Sequence, residues 1–342
     1  MATLSAWIDR GVAIATGLPP TFPGGWGPPE LLRDLIERSN DFGPPAPIDI
    51  EWSRGRQTRR GVHIFQGTFA SPEVGLPLPE ESRIAHVQLV LPPDPFEDGC
   101  PPMMVHLAGT GDFTYAARRS LAEPLAAEAG IGAAILQNPF YGERKPVGQR
   151  STKLRYVTDQ FLMNLATIEE ARSLLRWFRR DGYTRLGVTG YSMGGYMAAM
   201  TAQKTPLRLA VVPCATGNSS AYPLVTSPLY RMIDWTKLTM ELPAGESART
   251  HLARLMEGFS IDRHGSLSPE SPAILVAALH DEFIPRDEVE ALQRHWPHSE
   301  IRWIDGGHTT GWALHRNDIQ EAIVDAVAEL KPATNPWQLP AD

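Results

Sequence analysis

Ser192 stands in Gly190-Tyr191-Ser192-Met193-Gly194-Gly195, directly after the apolar run Leu186-Gly187-Val188-Thr189 and before Tyr196-Met197-Ala198-Ala199-Met200. Strand, then G-x-S-x-G, then helix is the order of a nucleophile elbow, a strained turn that needs small residues beside the serine and leaves its hydroxyl exposed at the helix start. Gly190, Gly194 and Gly195 meet that need. A plain Gly/Ser turn would use the same residues, so the motif requires partners elsewhere in the chain. A serine hydroxyl is a weak nucleophile until a base takes its proton, and the base needs an orienting carboxylate.

Asp281 and His308 are placed for those roles. Asp281 follows the apolar run Ala273 to Leu279, and His308 follows the run Glu300 to Ile304 in the turn Asp305-Gly306-Gly307-His308. Serine, acid and histidine thus come in that chain order, each just after a strand, as the hydrolase elbow requires. His280 is the nearest rival base, but no later strand carries it toward the serine. An oxyanion would need the backbone N–H of Met193, the residue after the serine, and a second N–H from an earlier loop. His106-Leu107-Ala108-Gly109-Thr110-Gly111-Asp112 offers that loop, with Thr110 the expected donor and Gly109 the alternative. Arg144 and Lys145, with Arg118 and Arg119, follow strands that end at the serine's edge and are candidates for an anionic substrate group. The alternative is ion pairing with Asp112 or Glu143. Trp312 either lines a pocket beside His308 or packs. Cys214 reads as a small buried apolar residue, having no histidine neighbour.

These residues need a sheet to bring them together. Short apolar runs at Met103 to Leu107, Ile131 to Leu136, Leu186 to Thr189, Leu209 to Pro213, Ala273 to Leu279 and Glu300 to Ile304 alternate with helical segments. That pattern is an α/β fold with a mostly parallel central sheet flanked by helices. Two earlier β-rich runs, His63 to Phe69 and Arg83 to Leu91, predict an antiparallel start. The clearest helix carries Phe161, Leu162, Leu165, Ile168, Leu174, Leu175 and Phe178 on one stripe, with Glu169, Glu170, Arg172, Arg176 and Arg179 off it. The expected organisation is an N-terminal extension at 1–60 packed on the core, a core at 61–214 and 271–332, a helical cap insertion at 215–270, and a tail at 333–342. The extension reads as irregular apart from a helix at Pro29 to Arg38, where proline suits the first turn.

Composition narrows the function. The 342 residues carry 32 Lys and Arg against 39 Asp and Glu, a net charge of −7, which gives no electrostatic case for nucleic acid. The two cysteines, Cys100 and Cys214, are too few for a disulfide framework or a zinc site and read as reduced thiols. The longest uncharged stretch near the start, Gly11 to Pro29, is interrupted by prolines and glycines and cannot make a spanning helix. Asp9 ahead of the short run Val12 to Ala15 argues against a secretory leader, so the expected compartment is cytoplasmic. The chemistry read here uses neither cofactor nor metal.

Together, His106 to Asp112, Asn138-Pro139-Phe140-Tyr141-Gly142-Glu143-Arg144-Lys145-Pro146, Gly190 to Gly195, Val212-Pro213-Cys214, Asp281-Glu282-Phe283-Ile284-Pro285-Arg286 and Gly306-Gly307-His308 resemble the α/β-hydrolase domain-containing protein 18 family, over roughly Trp26 to Val327. The serine elbow marks the superfamily, and the Thr-Gly-Asp and Tyr-Gly-x-Arg-Lys-Pro loops are narrower signals. The resemblance implies Ser192, Asp281 and His308 as a catalytic triad. The chain departs from animal members in its short segment between nucleophile and acid. The expected function is a serine hydrolase that cleaves an acyl ester, from a small-molecule or lipid-like substrate, through an acyl-enzyme on Ser192. An acyltransferase using the same triad and a non-catalytic ligand-binding protein on this fold are the alternatives.

Overall fold

The computed structural model of the chain describes residues 4–15, 19–72, 75–94, 99–149 and 151–333. Two helices, α1 (Leu4–Ala15) and α2 (Pro29–Arg38), precede the sheet. The strands are β1 (Glu51–Trp52), β2 (Arg56–Gln57), β3 (His63–Ala70), β4 (Ile84–Leu91), β5 (Met103–Leu107), β6 (Gly132–Leu136), β7 (Leu186–Tyr191), β8 (Ala210–Cys214), β9 (Ile274–Ala278) and β10 (Glu300–Ile304). Three helices separate the central strands: α3 (Ala116–Ala129) after β5, α4 (Val157–Arg180) after β6 and α5 (Met193–Gln203) after β7. Between β8 and β9 come α6 (Ala221–Val225), α7 (Trp235–Met240) and α8 (Ala248–Glu257). The chain then forms α9 (Arg286–His295) before β10, and α10 (His308–Leu314) and α11 (Arg316–Glu329) after it.

Among the described residues the ten strands form one sheet in the order β1-β3-β4-β6-β5-β7-β8-β9-β10, with β2 also on β3. β1 to β4 pair antiparallel, and β4 meets β6 antiparallel. From β6 to β10 every pairing is parallel. Every residue of β5, β6, β8 and β9 is buried, because helices cover both faces of a parallel sheet. The fold is thus the α/β sheet with an antiparallel start that the apolar runs imply, and its register places the loops. Leu107 pairs with Gly190 and Ala278 with Ile304, so the segments after β5 and β7, and those after β9 and β10, leave the same edge side by side.

Two expectations change. Residues 4–15 form a helix where an irregular segment was expected. On α4, the apolar stripe is buried, but so are Glu169, Glu170, Arg172 and Arg179. The N-terminal extension covers the far side of α4: Arg172 donates to Phe42 O and Gly43 O, and Arg176 to Pro45 O. Burial is tolerated there because Glu169 pairs with Arg172 and Glu170 with Arg144, while Arg179 donates to Tyr183 O and Thr184 O. The 215–270 insertion, for its part, packs into the body of the molecule. Leu252 and Ile261 are fully buried, Phe259 stacks on Phe161 of α4, and Trp26 Nε1 donates to Leu238 O. The expected tail at 333–342 lies outside the described residues beyond Ala333.

Candidate active site

Ser192 sits between β7 and α5 with φ 58° and ψ −121°, a conformation that L residues rarely adopt. The glycines around it make room for backbone. A Cβ at Gly190 would stand 2.3 Å from Gly194 O, and one at Gly194 would stand 2.4 Å from Leu107 O. Ser192 N–H donates to Cys214 O at 2.9 Å, which ties the turn to β8.

The loops after β9 and β10 bring Asp281 and His308 together. His308 Nδ1 lies 2.8 Å from Asp281 Oδ2. With the carboxylate as acceptor, the neutral imidazole carries its proton on Nδ1 and keeps the lone pair of Nε2. The other carboxylate oxygen, Oδ1, accepts from the N–H groups of Phe283 and Ile284, both at 2.8 Å, so the side chain is fixed at both oxygens. Burial disfavours charge on the His308 ring, but the Asp281 charge and hydrogen bond, with the Asp9 charge, outweigh it and hold its pKa above the usual histidine value. Phe283 and Tyr191 flank the ring, and the Tyr191 hydroxyl donates to His308 O at 2.6 Å.

Ser192 and His308 line one cavity of about 570 Å³. Its wall is mainly apolar: Phe22 from the extension, Leu224, Leu229, Met232 and Ile233 from the insertion, and Phe283 and Trp312 beside the histidine. Gly109, Thr110 and Gly111 lie on the serine side. A Cβ at Gly109 would be 2.9 Å from Tyr191 O and 4.0 Å from Ser192 Cβ, so this loop runs directly against the elbow. Gly111 N–H donates to the Tyr141 hydroxyl at 3.3 Å. The Met193 sulfur draws the two loops together, receiving the Thr110 hydroxyl at 3.8 Å and Gln160 Nε2 at 3.2 Å.

The other candidates divide. Trp312 both lines the cavity and packs edge-on against Tyr191, at 5.3 Å between ring centroids. Arg144 is a correction. It is fully buried away from the cavity, with Nη1 and Nη2 on Glu170 and further bonds to Gln137 O and Ser82 O. Its guanidinium has no solvent exposure and is out of reach of a substrate in the cavity. Lys145 is exposed and is not part of the cavity wall. Arg118 bonds Asp112 at 2.7 Å and the carbonyls of His106, Leu136 and Thr114, fixing the loop after β5. His280 pairs with Asp305 at 3.0 Å outside the cavity wall. His106 borders the cavity, but burial and the Arg118 charge push its pKa down to about 3, leaving it a poor proton acceptor. Burial pushes the Cys214 thiol up to about 12, so it is no thiolate.

Sequence reasoning missed Asp9, Val12 and Phe22 from the extension, and Thr152, Lys153 and Gln160 ahead of and within α4. No local pattern marks them, because each reaches the site through chain packing.

Comparison with known proteins agrees with this architecture. Among solved structures, the chain is similar to an acetyl xylan esterase from Paenibacillus sp. R4, with a TM-score of 0.57 and 15% identity over 86% of this chain and 92% of that one. Acetyl xylan esterase 1 from Thermoanaerobacterium sp. JW/SL YS485 gives 0.52 and 14% over 92% and 98%. A cold-adapted esterase from an Arctic intertidal metagenomic library gives 0.52 and 15% over 82% and 100%. At such identities the likeness is one of fold. Two curated relatives, the uncharacterized proteins MT2702 and Rv2627c of Mycobacterium tuberculosis strains CDC 1551 / Oshkosh and ATCC 25618 / H37Rv, are each 27% identical over 146 residues. That match takes in 41% of this chain and about a third, 32%, of each relative. The family model described as alpha/beta hydrolase domain containing 18 matches residues 20–257 and 244–329, which take in the whole sheet and both loops that carry Asp281 and His308. The chain belongs to the alpha/beta hydrolase domain containing 18 family.

Proposed function

We propose that the protein is a serine hydrolase that cleaves acyl esters, with Ser192 as nucleophile, His308 as general base and Asp281 as its orienting acid. The observation that carries this reading is the 2.8 Å Asp281–His308 contact at the wall of the cavity that the strained Ser192 elbow also lines. Ser192 Oγ bonds to the ester carbonyl carbon and gives its proton to His308 Nε2, while the carbonyl π pair moves to oxygen. The N–H groups of Met193 and Thr110 hold that oxyanion. Collapse expels the alcohol, which takes the proton back from His308, and leaves an acyl-Ser192. Water, deprotonated by His308, then attacks the acyl carbon; the carboxylic acid departs and the serine is restored.

The insertion at 215–270 serves as the cap, its Leu224, Leu229, Met232 and Ile233 forming an apolar wall suited to an acyl chain. Esterase neighbours of the same fold support ester chemistry, as does membership of a hydrolase family. No described helix is long and apolar enough to cross a membrane. A fluorophosphonate probe tests the reading: the wild-type chain should label stoichiometrically and Ser192→Ala should not. Equal labelling of both proteins would remove Ser192 from the chemistry.

A further inference from the structure

The mechanism leaves one buried carboxylate at the site unused. Asp9 lies on the inner face of α1, fully buried. Its Oδ2 accepts from the His308 N–H and its Oδ1 from the Thr309 N–H, both at 2.8 Å, with Glu282 N–H at 3.4 Å from Oδ2. The next residue, Arg10, grips the Glu282 carboxylate through Nε and Nη2 at 3.0 to 3.2 Å. Two consecutive residues of one helix therefore hold both loops of the acid–base pair, one beside Asp281 and one at His308 itself. The approach is close enough that a Cβ on Gly307 would fall 2.7 Å from Asp9 Oδ2.

A carboxylate is costly to bury, and simple packing of α1 against the core would be served by an apolar residue at this position. The N–H groups at the start of α10 could equally be capped from residue 307, the usual place for a Ser, Thr or Asp. The chain instead keeps glycine there and brings the acceptor from 299 residues away. That arrangement makes the position of the His308 backbone depend on α1, and it adds a second negative charge beside the ring.

We propose that α1 is a clamp on the acid–base pair and that Asp9 is a positioning residue for His308. The proposal rests on the reading of His308 as general base. Held by its own N–H, His308 presents Nδ1 to Asp281 and keeps Nε2 for Ser192. The Asp9 charge joins that of Asp281 in favouring the imidazolium that forms when Ser192 gives up its proton, in keeping with its share in raising the His308 pKa. The groups that face His308 are Asp281 and the Phe283 ring from the loop after β9, the Tyr191 hydroxyl and ring from β7, and Asp9 from α1. Glu282 and Arg10 at the rim are paired with each other.

The experiment uses the full chain as wild type, Asp9→Asn, Arg10→Gln and Ser192→Ala, with second-order rates of fluorophosphonate labelling measured from about pH 5 to 9. Circular dichroism checks the fold at each pH, and histidine hydrogen-exchange mass spectrometry follows the titration of His308. Asp9→Asn should fold, label about ten- to a hundredfold more slowly, and show midpoints, in both rate and exchange, at lower pH than wild type. A merely structural loss would lower the labelled fraction and leave the midpoints in place. Wild-type rates and midpoints in Asp9→Asn, or slower labelling with unmoved midpoints, overturn the clamp while leaving Ser192 chemistry standing. Wild-type protein that labels no better than Ser192→Ala removes the serine reading, and the clamp with it. Should Asp9→Asn fail to fold, Arg10→Gln decides: a several-fold loss of rate with a native spectrum supports the clamp, and a wild-type rate overturns it.

Discussion

At the scale of single residues, the proposed chemistry rests on how His308 is charged. Its pKa is held above the ordinary histidine value by Asp281 and Asp9 against the opposing effect of burial. A raised pKa keeps the ring protonated, and so unable to accept the serine proton, to a higher pH than a free imidazole would be. The acidic limb of kcat/KM on any turned-over ester should therefore rise along a single ionisation with its midpoint above about pH 6.5. A profile flat from about pH 5 to 9 with the fold intact would sink the histidine base. Asp281 is gripped at both oxygens, so Asp281→Asn should preserve the loop yet cost about 10⁴ in turnover, through loss of the correct tautomer and of the charge that stabilises the imidazolium. A loss under about tenfold would point to another acid, although Glu282 is already committed to Arg10.

At the scale of elements, loops are held by charges that look, in sequence, like ligands for a substrate. Arg144 joins the loop after β6 to α4 through Glu170, with neither side chain exposed to solvent. Removing one partner of such a pair strands the other charge in the interior, and Arg144→Ala should cost about 3–5 kcal/mol in urea unfolding. The double change Arg144→Met with Glu170→Met should recover most of that loss, since an apolar pair of similar size has no charge to desolvate. Lys145→Ala, at an exposed position off the cavity wall, should leave both stability and KM near wild type. A rise in KM for anionic esters in Lys145→Ala would return that lysine to the binding site.

For the whole molecule, the cavity is a joint product of segments far apart in the chain: Phe22 before the sheet, Leu229 and Ile233 in the insertion, and Trp312 after the last strand. Its size is then a property of the assembled wall and not of the catalytic loops. Ile233→Trp adds bulk to the apolar lining, and should lower kcat/KM for long-chain acyl esters by about tenfold or more while sparing acetyl esters. Measuring the series from acetyl to long acyl on both proteins checks this, and a uniform loss across chain lengths would place Ile233 outside the acyl path.

Much of this was legible in the residues taken in order. Parallel strands buried on both faces must be short and apolar, so Met103–Leu107 carries the bounds read for it; Glu300–Ile304, at the sheet edge and only partly buried, does so too, and the other parallel runs shift by a residue or two. The serine elbow shows in its local motif, and its glycines are demanded by backbone contacts within a few residues of Ser192 or across to the neighbouring β5 and β8. Asp281 and His308, which meet at 2.8 Å, could be paired in the sequence because chain order and strand ends constrain which acid and which histidine can come to the sheet edge where Ser192 stands. Local sequence could not say which charged side chains turn inward. Arg144 and Lys145 are neighbours of like charge, and only the packing of α4 against the loop after β6 buries one and exposes the other. Asp9 lies beyond any such reading: its partners are backbone N–H groups some 300 residues away, and a backbone amide has no residue type for a sequence to display. Tertiary structure alone decided that the first described helix of the chain closes on the loops after the last two strands.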